Sequence, residues 1–421
     1  MNKNNTIIVI ILIILLIVIV IWMMLRRGVD YPRYKKYKYV DPTGQQNSVV
    51  DTVLFDLTLN YYKLPPASSS RTIITLSTIP ERISLLGPTL ASLLDQTVRV
   101  NEIAINVPYV SRKGIEYEIP DWLDIMSKSS LSVSKGKKDK EKKRENIIRI
   151  YRVEKDLGPA TKLIPTMLRE RERTFQANVN LKNKTTENKT INDREWIRET
   201  RIIVVDDDNI YNKHMVQRLV DCFENDQKRI ESKGELERVE KLETISNTHD
   251  SHFEWKGPSD ETLWGKPDRN LKAAAITNFG LVLNEGFKIP KTLTTSRLKS
   301  IFCASREVDI VQGFSGFLVT PSMFDQRVYD LSVIGKIEKD SNGKNIGCPK
   351  EALTVDDIWF SGWLKVSNTR IICTGEFHKY LPLVVGGSLS KTPDLWEDEN
   401  KMLTTNDQKT LDWFSRQFAF E

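Results

Sequence analysis

Arg201-Ile202-Ile203-Val204-Val205-Asp206-Asp207-Asp208-Asn209 sets four β-branched aliphatic residues directly ahead of three carboxylates. A run that is apolar at every position, without alternation, reads as a strand covered on both faces, as in a parallel sheet. Open α/β sheets bind their ligands at the carboxyl ends of such strands, where the three aspartates stand. Adjacent like charges repel, so the cluster needs water or a cation around it. Asp206 and Asp208 are two residues apart, and extended backbone would turn both side chains the same way. They could then share one hard divalent ion, with phosphate oxygens completing its shell. A solvated acidic turn after a strand is the alternative that this run alone leaves open.

Working outward, Arg71-Thr72-Ile73-Ile74-Thr75-Leu76-Ser77 reads as an earlier strand. It is followed by a turn at Ile79-Pro80-Glu81-Arg82 and an amphipathic stretch over 85–94. Glu102-Ile103-Ala104-Ile105-Asn106-Val107-Pro108 and Ile147-Ile148-Arg149-Ile150-Tyr151 give two further strands. Strands alternating with helical stretches predict an α/β fold with a mostly parallel, right-handed sheet. The lysine-rich run 135–144 has no interleaved aromatic residues for base stacking and reads as a solvated loop. The Asn/Lys/Thr-rich stretch 176–193 reads as an inserted loop, and the highly charged stretch 224–243 as an outward extension of a helix.

Composition narrows the function classes. Lys+Arg 62 against Asp+Glu 56 gives only +6 over 421 residues, a mixed surface and not a nucleic-acid footprint. The four cysteines are widely spaced with no Cys-x-x-Cys pair, which excludes the usual zinc-finger spacing. Four histidines are too few for a site built from imidazoles. Residues 6–25 form an unbroken apolar run of bilayer-spanning length with no Ala-x-Ala cleavage site, so an uncleaved single-pass anchor is expected. The expected organisation is a short tail (1–5), the anchor (6–25), a basic and polar stem (26–70), a catalytic α/β domain (71–390) and a helical C-terminal tail (391–421). Arg26, Arg27, Arg33, Lys35, Lys36 and Lys38 follow the span and would hold the domain on the cytoplasmic side. Sequons at Asn183 and Asn188 pull toward a lumenal domain.

Further chemistry-bearing segments follow the same order along the chain. Asp156-Leu157-Gly158-Pro159-Ala160-Thr161-Lys162 is a Gly-Pro turn opening a helix, whose free N–H groups and lysine suit an anionic ligand. An ordinary strand-to-helix turn is the plainer explanation of that segment. Gly313-Phe314-Ser315-Gly316 is a glycine-containing loop before a strand, permitting close backbone approach or simply a bulge. Asp356 and Asp357 precede an aromatic helix-like stretch. Paired carboxylates so placed raise one pKa and can hold a general base, or they can serve as an acidic first helical turn. His378 is the one histidine placed to complete a metal shell, although a lone histidine is more often a surface group.

Taken in order, Thr75-Leu76-Ser77-Thr78-Ile79-Pro80-Glu81-Arg82, the 156–162 turn, Val205-Asp206-Asp207-Asp208, the 313–316 loop and Val355-Asp356-Asp357 resemble a GT-A-type, family-2-like glycosyltransferase. The resemblance runs from about residue 71 to about 382. It implies a Rossmann-related sheet, a nucleotide-sugar donor, and a glycan, protein or lipid acceptor. Asp206, Asp207 and Asp208 match the Asp-x-Asp element, with Asp206 and Asp208 as ligands of Mn²⁺ or Mg²⁺ on the donor diphosphate. Thr78, Arg82, Asp156, Lys162, Asp206 and Asp207 fall where such enzymes hold the nucleotide. Gly313 and Gly316 match the loop near donor sugar and acceptor. Asp357, with Asp356 beside it, matches the catalytic base, and His378 the C-terminal metal-binding histidine. Membrane-anchored transferases of this sort with a stem resemble lumenal type II Golgi or ER enzymes, which sets the expected side as lumenal, ahead of cytoplasmic.

Two other classes compete. A phosphohydrolase of the haloacid-dehalogenase type would use Asp206 as nucleophile and Asp356 and Asp357 for Mg²⁺, but its nucleophile belongs on the first strand. A non-catalytic membrane-tethered adaptor on a decayed transferase fold would have no reason to keep these acidic positions.

Overall fold

The computed structural model describes residues 47–128, 146–184, 199–233, 273–278, 280–283, 306–339, 341–343, 345–374 and 395–418. The N-terminal apolar run 6–25, the lysine-rich run 135–144 and His378 lie outside the described residues. Among the described residues, no helix is long and apolar enough to cross a membrane.

The apolar runs become strands because burial on both faces rewards aliphatic residues at every position. β1 is Thr72–Ser77, β2 Glu102–Pro108, β3 Ile148–Val153 and β4 Arg201–Val204. The later strands are short: β5 Ala275–Thr277, β6 Gly280–Leu281, β7 Arg306–Val308, β8 Ile310–Val311, β9 Phe317–Val319 and β10 Ile371–Cys373. One eight-stranded sheet runs in the order β3-β2-β1-β4-β9-β5-β10-β7, and β6 pairs with β8 separately. β1 pairs in parallel with both β2 and β4, and β2 with β3. β9 is antiparallel to its neighbours β4 and β5, and β7 is antiparallel to β10. The fold is therefore α/β, with a mostly parallel sheet flanked by helices.

The helices are α1 Asn47–Tyr61, α2 Gly87–Leu94, α3 Asp121–Lys128, α4 Ile164–Lys184, α5 Met215–Lys233, α6 Asp356–Val366 and α7 Leu395–Phe418. α2 falls where an amphipathic stretch is expected, yet all eight of its residues are buried. α1 packs against it, and the Ser92 hydroxyl is satisfied within the helix, donating to the Thr89 carbonyl at 2.7 Å. α4 continues to Lys184, so the first part of the stretch expected to be an inserted loop is helical. The charged stretch that begins at Glu224 is likewise helical through Lys233.

Strand order places the site. The chain runs outward from β1 through β2 to β3, then returns past β1 to β4. β1 thus has β2, which follows it, on one side and β4, which follows β3, on the other, and an open parallel sheet has its crevice at the carboxyl ends flanking such a reversal. Thr78 follows β1 and Asp206 follows β4, on the two lips of that crevice.

Candidate active site

Beyond β4 the backbone stays extended only briefly and turns at Asp207 and Asp208. Two buried groups hold that turn. The Asp206 N–H donates to the Tyr211 hydroxyl at 2.7 Å, and the Thr89 hydroxyl on α2 donates to the Asp207 carbonyl at 2.8 Å. The side chains consequently diverge, and Asp206 and Asp208 do not share one partner as an extended strand would have them do. Asp206 Oδ1 meets the Lys162 ammonium at 2.5 Å. Asp207 accepts from the Thr78 hydroxyl at 2.6 Å and from Arg82, whose Nη2 lies 2.8 Å from Oδ1. Asp208 Oδ2 takes Arg82 Nη1 at 3.3 Å.

Lys162 closes a short 3₁₀ turn, Gly158–Lys162, that opens toward the crevice. Asp156 braces the start of this turn, accepting from the Gly158 N–H at 2.8 Å and the Arg112 N–H at 2.9 Å. The far end is fixed from the sheet. The Lys162 carbonyl accepts from the Thr75 hydroxyl at 2.6 Å and from Asn106 Nδ2 at 3.2 Å, and Asn106 also reaches Thr166 at 2.9 Å. Polar residues in otherwise apolar β1 and β2 thus anchor the main chain that carries the ammonium.

The Lys162 ammonium also lies 3.0 Å from Asp356 Oδ2. That oxygen is sealed from solvent and has no hydrogen-bond partner, so the contact is ionic without hydrogen-bond alignment. Asp356 and Asp357 form the first turn of α6, where the helix N-terminus favours negative charge. Asp357 Oδ1 accepts from the Gly313 N–H at 3.0 Å. A Cβ at Gly313 would stand 2.9 Å from Asp206 Oδ1, 3.3 Å from Lys162 Nζ and 3.4 Å from Asp357 Oδ1. Only glycine lets the loop come this close. Gly316 ends the 3₁₀ turn begun at Gly313 and holds φ at +82°, a conformation that side chains rarely adopt. Segments far apart in sequence, at Thr78–Arg82, Lys162, Asp206–Asp208, Gly313 and Asp356–Asp357, therefore converge.

Five carboxyl groups here face two cations, Lys162 and Arg82, a formal excess of three acids. Burial opposes the Lys162 ammonium, but Asp206, Asp356 and Asp357 outweigh it and keep lysine charged well above its ordinary range. Burial and the neighbouring Asp356 push the Asp357 carboxyl well up, with Lys162 pulling the other way. Burial also lifts Asp207 to about 6, against Arg82 and with help from Asp208.

Among the described residues, no group of three or more His, Cys, Asp and Glu side chains is set to hold a metal ion as they stand. The chemistry of the donor set still suits a hard divalent cation: it is all carboxylate oxygen, and one of its buried oxygens, Asp356 Oδ2, accepts no hydrogen bond although Lys162 lies beside it. Asp206, Asp207 and Asp208 all follow β4 at its carboxyl end.

Neither the protein-family models nor the curated proteins contain a match to this chain.

Sequence reasoning assigned no role to Thr75, Asn106, Thr166 or Tyr211. A polar residue inside an apolar strand run was the available signal for Thr75 and Asn106. Tyr211 carried none, since its role depends on a turn whose shape no local pattern encodes.

Proposed function

We propose that this chain is a metal-dependent, GT-A-type glycosyltransferase, held at a membrane by residues 6–25, that moves a sugar from a nucleotide-diphosphate sugar to an acceptor hydroxyl. The observation that carries this reading is the convergence of Lys162, Asp206, Gly313 and Asp357 at the carboxyl-end crevice between β1 and β4.

The roles follow from placement. Thr78, Arg82 and Lys162 line the lips of the crevice and supply hydroxyl, guanidinium and ammonium groups for a diphosphate, with Asp156 holding the Lys162 turn in place. Asp208 and Asp206 would hold a divalent ion, which would supply Lewis-acid stabilisation of the negative charge on a departing nucleotide. His378 remains the expected third ligand. Asp357, oriented by the Gly313 N–H, accepts the proton of the attacking hydroxyl. Its raised pKa makes the ionised carboxylate a stronger base than an exposed aspartate. A separate base without a protein nucleophile favours inversion at the anomeric carbon. The phosphohydrolase alternative needs its nucleophile after the first strand, and Asp206 follows β4.

Calorimetry with nucleoside diphosphates and Mn²⁺ tests the donor side. The parent should bind a nucleoside diphosphate only with the ion present, and Asp208→Asn should abolish that binding while its thermal unfolding stays unchanged. Equal affinity in Asp208→Asn and the parent would remove Asp208 from the site.

A further inference from the structure

The amino ends of the strands carry a second charged cluster, opposite in sign to the site. α4 starts behind the Lys162 turn, where Thr166 meets Asn106, and one turn on its Glu170 meets Arg71, the residue before β1. Four guanidinium groups gather here around two buried carboxylates, Glu170 and Glu102 at the head of β2. Arg71 lies 2.7 Å from Glu102 and 2.9 Å from Glu170, and Arg173 lies 2.9 Å from Glu170. Arg149 of β3 and Arg169 of α4 stand farther off, 3.9 Å and 3.7 Å from Glu102. Among the described residues, four cations thus meet two anions, a formal excess of two positive charges.

The surplus falls on Arg169. Its guanidinium carbon sits 3.5 Å from the centroid of the Tyr151 ring, a contact that holds the group in place. Its buried Nε has no hydrogen-bond partner, and Nη2 makes a long bond of 3.4 Å to the Thr166 hydroxyl. Burial pulls this guanidinium below the ordinary arginine range, against Tyr151, Glu102 and Glu170. The four side chains still keep between 21% and 43% of their surface in solvent, so an anion from solution can reach them.

We propose that this arginine cluster is a second binding site, for a phosphate group. Guanidinium forks match the oxygens of phosphate in pairs, and a phosphate dianion would cancel the excess of two. The course of the chain favours a lipid headgroup as the source of that phosphate. It enters the domain at this end: the Val100 N–H donates to the Tyr61 hydroxyl at the end of α1, and Arg99 Nε donates to the Leu64 carbonyl. Upstream of α1 in the sequence lie the basic residues of the stem and the apolar run 6–25. The lipid source rests on the membrane attachment proposed above; the phosphate chemistry does not. Seated this way, the amino ends of the strands face the bilayer, and the crevice at their carboxyl ends faces away from it.

Thermal unfolding of the full chain tests the site in two settings. One is nanodiscs of phosphatidylcholine with or without phosphatidic acid; the other is detergent micelles in inorganic phosphate or in chloride at matched ionic strength. A ligand bound only by the folded state raises Tm. The account predicts a rise of a few degrees with phosphatidic acid, which identifies a lipid source. A rise confined to inorganic phosphate would identify free phosphate as the ligand, and no rise in either setting would overturn the proposal. Arg169→Gln should lose the rise, whereas Arg82→Gln, in the crevice, should keep it. Arg149→Gln should weaken the rise, and it decides the matter if Arg169→Gln does not fold. A rise undiminished in the cluster variants, or abolished by Arg82→Gln, would place the anion elsewhere and overturn the proposal. No arm uses a nucleotide sugar, so failure here leaves the transfer reaction to its own assay.

Discussion

Lys162 is the residue through which the separate acidic segments act as one group. It is buried, and it spans Asp206 after β4 and Asp356 at the head of α6. Loss of this ammonium would leave the Asp206 and Asp356 carboxylates without their shared cation, which is strongly destabilising. Gly313 makes this contact possible, because its missing Cβ leaves room for both members of the Lys162–Asp206 pair. Gly313→Ala should cost roughly 1–3 kcal/mol, the usual range for overpacking, and should weaken binding of a nucleoside diphosphate. Chemical denaturation and calorimetry would check both, and an alanine variant with parental stability and affinity would show that the loop is not fixed against the ion pair. The candidacy of Gly313, Asp206 and Asp357 could be read from their residue types and order. That Lys162 meets the carboxylates as a direct partner could not, because an ion pair between residues 44 apart has no local pattern.

At the scale of elements, the end of the sheet opposite the site is held by charge. Glu170 on α4 is 1% exposed, and it accepts from Arg71 Nε at 2.9 Å, Arg173 Nε at 2.9 Å and the Thr200 hydroxyl at 2.7 Å. Arg71 also reaches Glu102 at the head of β2, at 2.7 Å. Burial works against the Glu170 carboxylate, but Arg71, Thr200 and Arg173 outweigh it and hold the group down at about 2, from an ordinary value of 4.5. A depressed carboxylate contributes stability above its unfolded pKa and loses it as pH falls through the folded one. The contribution is on the order of 3 kcal/mol at neutral pH, as an upper bound. Glu170→Gln should therefore be destabilised at pH 7, with the gap to the parent narrowing from about pH 4.5 toward pH 2. A gap of constant size in denaturant titrations across that range would assign the loss to packing instead of charge. The long strands β1 to β4 were legible from their apolar runs. β5 to β10 were harder to read, since two or three residues are too few to establish a period. α4 was cut short in the sequence reading because its second half is rich in Asn and Lys, which suggest a loop until tertiary packing of the first half carries the helix on.

For the whole molecule, strand order carries most of the functional argument. The return past β1 to β4 brings the two lips of the crevice together, and the turn before β9 and the head of α6 bring Gly313, Asp356 and Asp357 to them from the last third of the chain. Hydrophobic runs and strand–helix alternation conveyed the α/β class. The antiparallel insertion of β9 between β4 and β5, and the docking of the C-terminal helix onto α6, depend on contacts between distant segments and have no local signature. The aromatic residues Trp359, Trp363, Trp413 and Phe414 that make this docking stand in two separate stretches of sequence. The central claim is that this crevice transfers sugars with Asp357 as base, and a nucleotide-release assay of the full chain tests it most directly. The chain would be offered a panel of nucleotide-diphosphate sugars with Mn²⁺ and candidate acceptors. The account predicts release with at least one donor, and an Asp357→Asn variant that still binds this donor but turns over about 10²–10⁴-fold more slowly, the usual worth of general base catalysis. Release of inorganic phosphate in place of nucleotide, or equal turnover by Asp357→Asn and the parent, would contradict it.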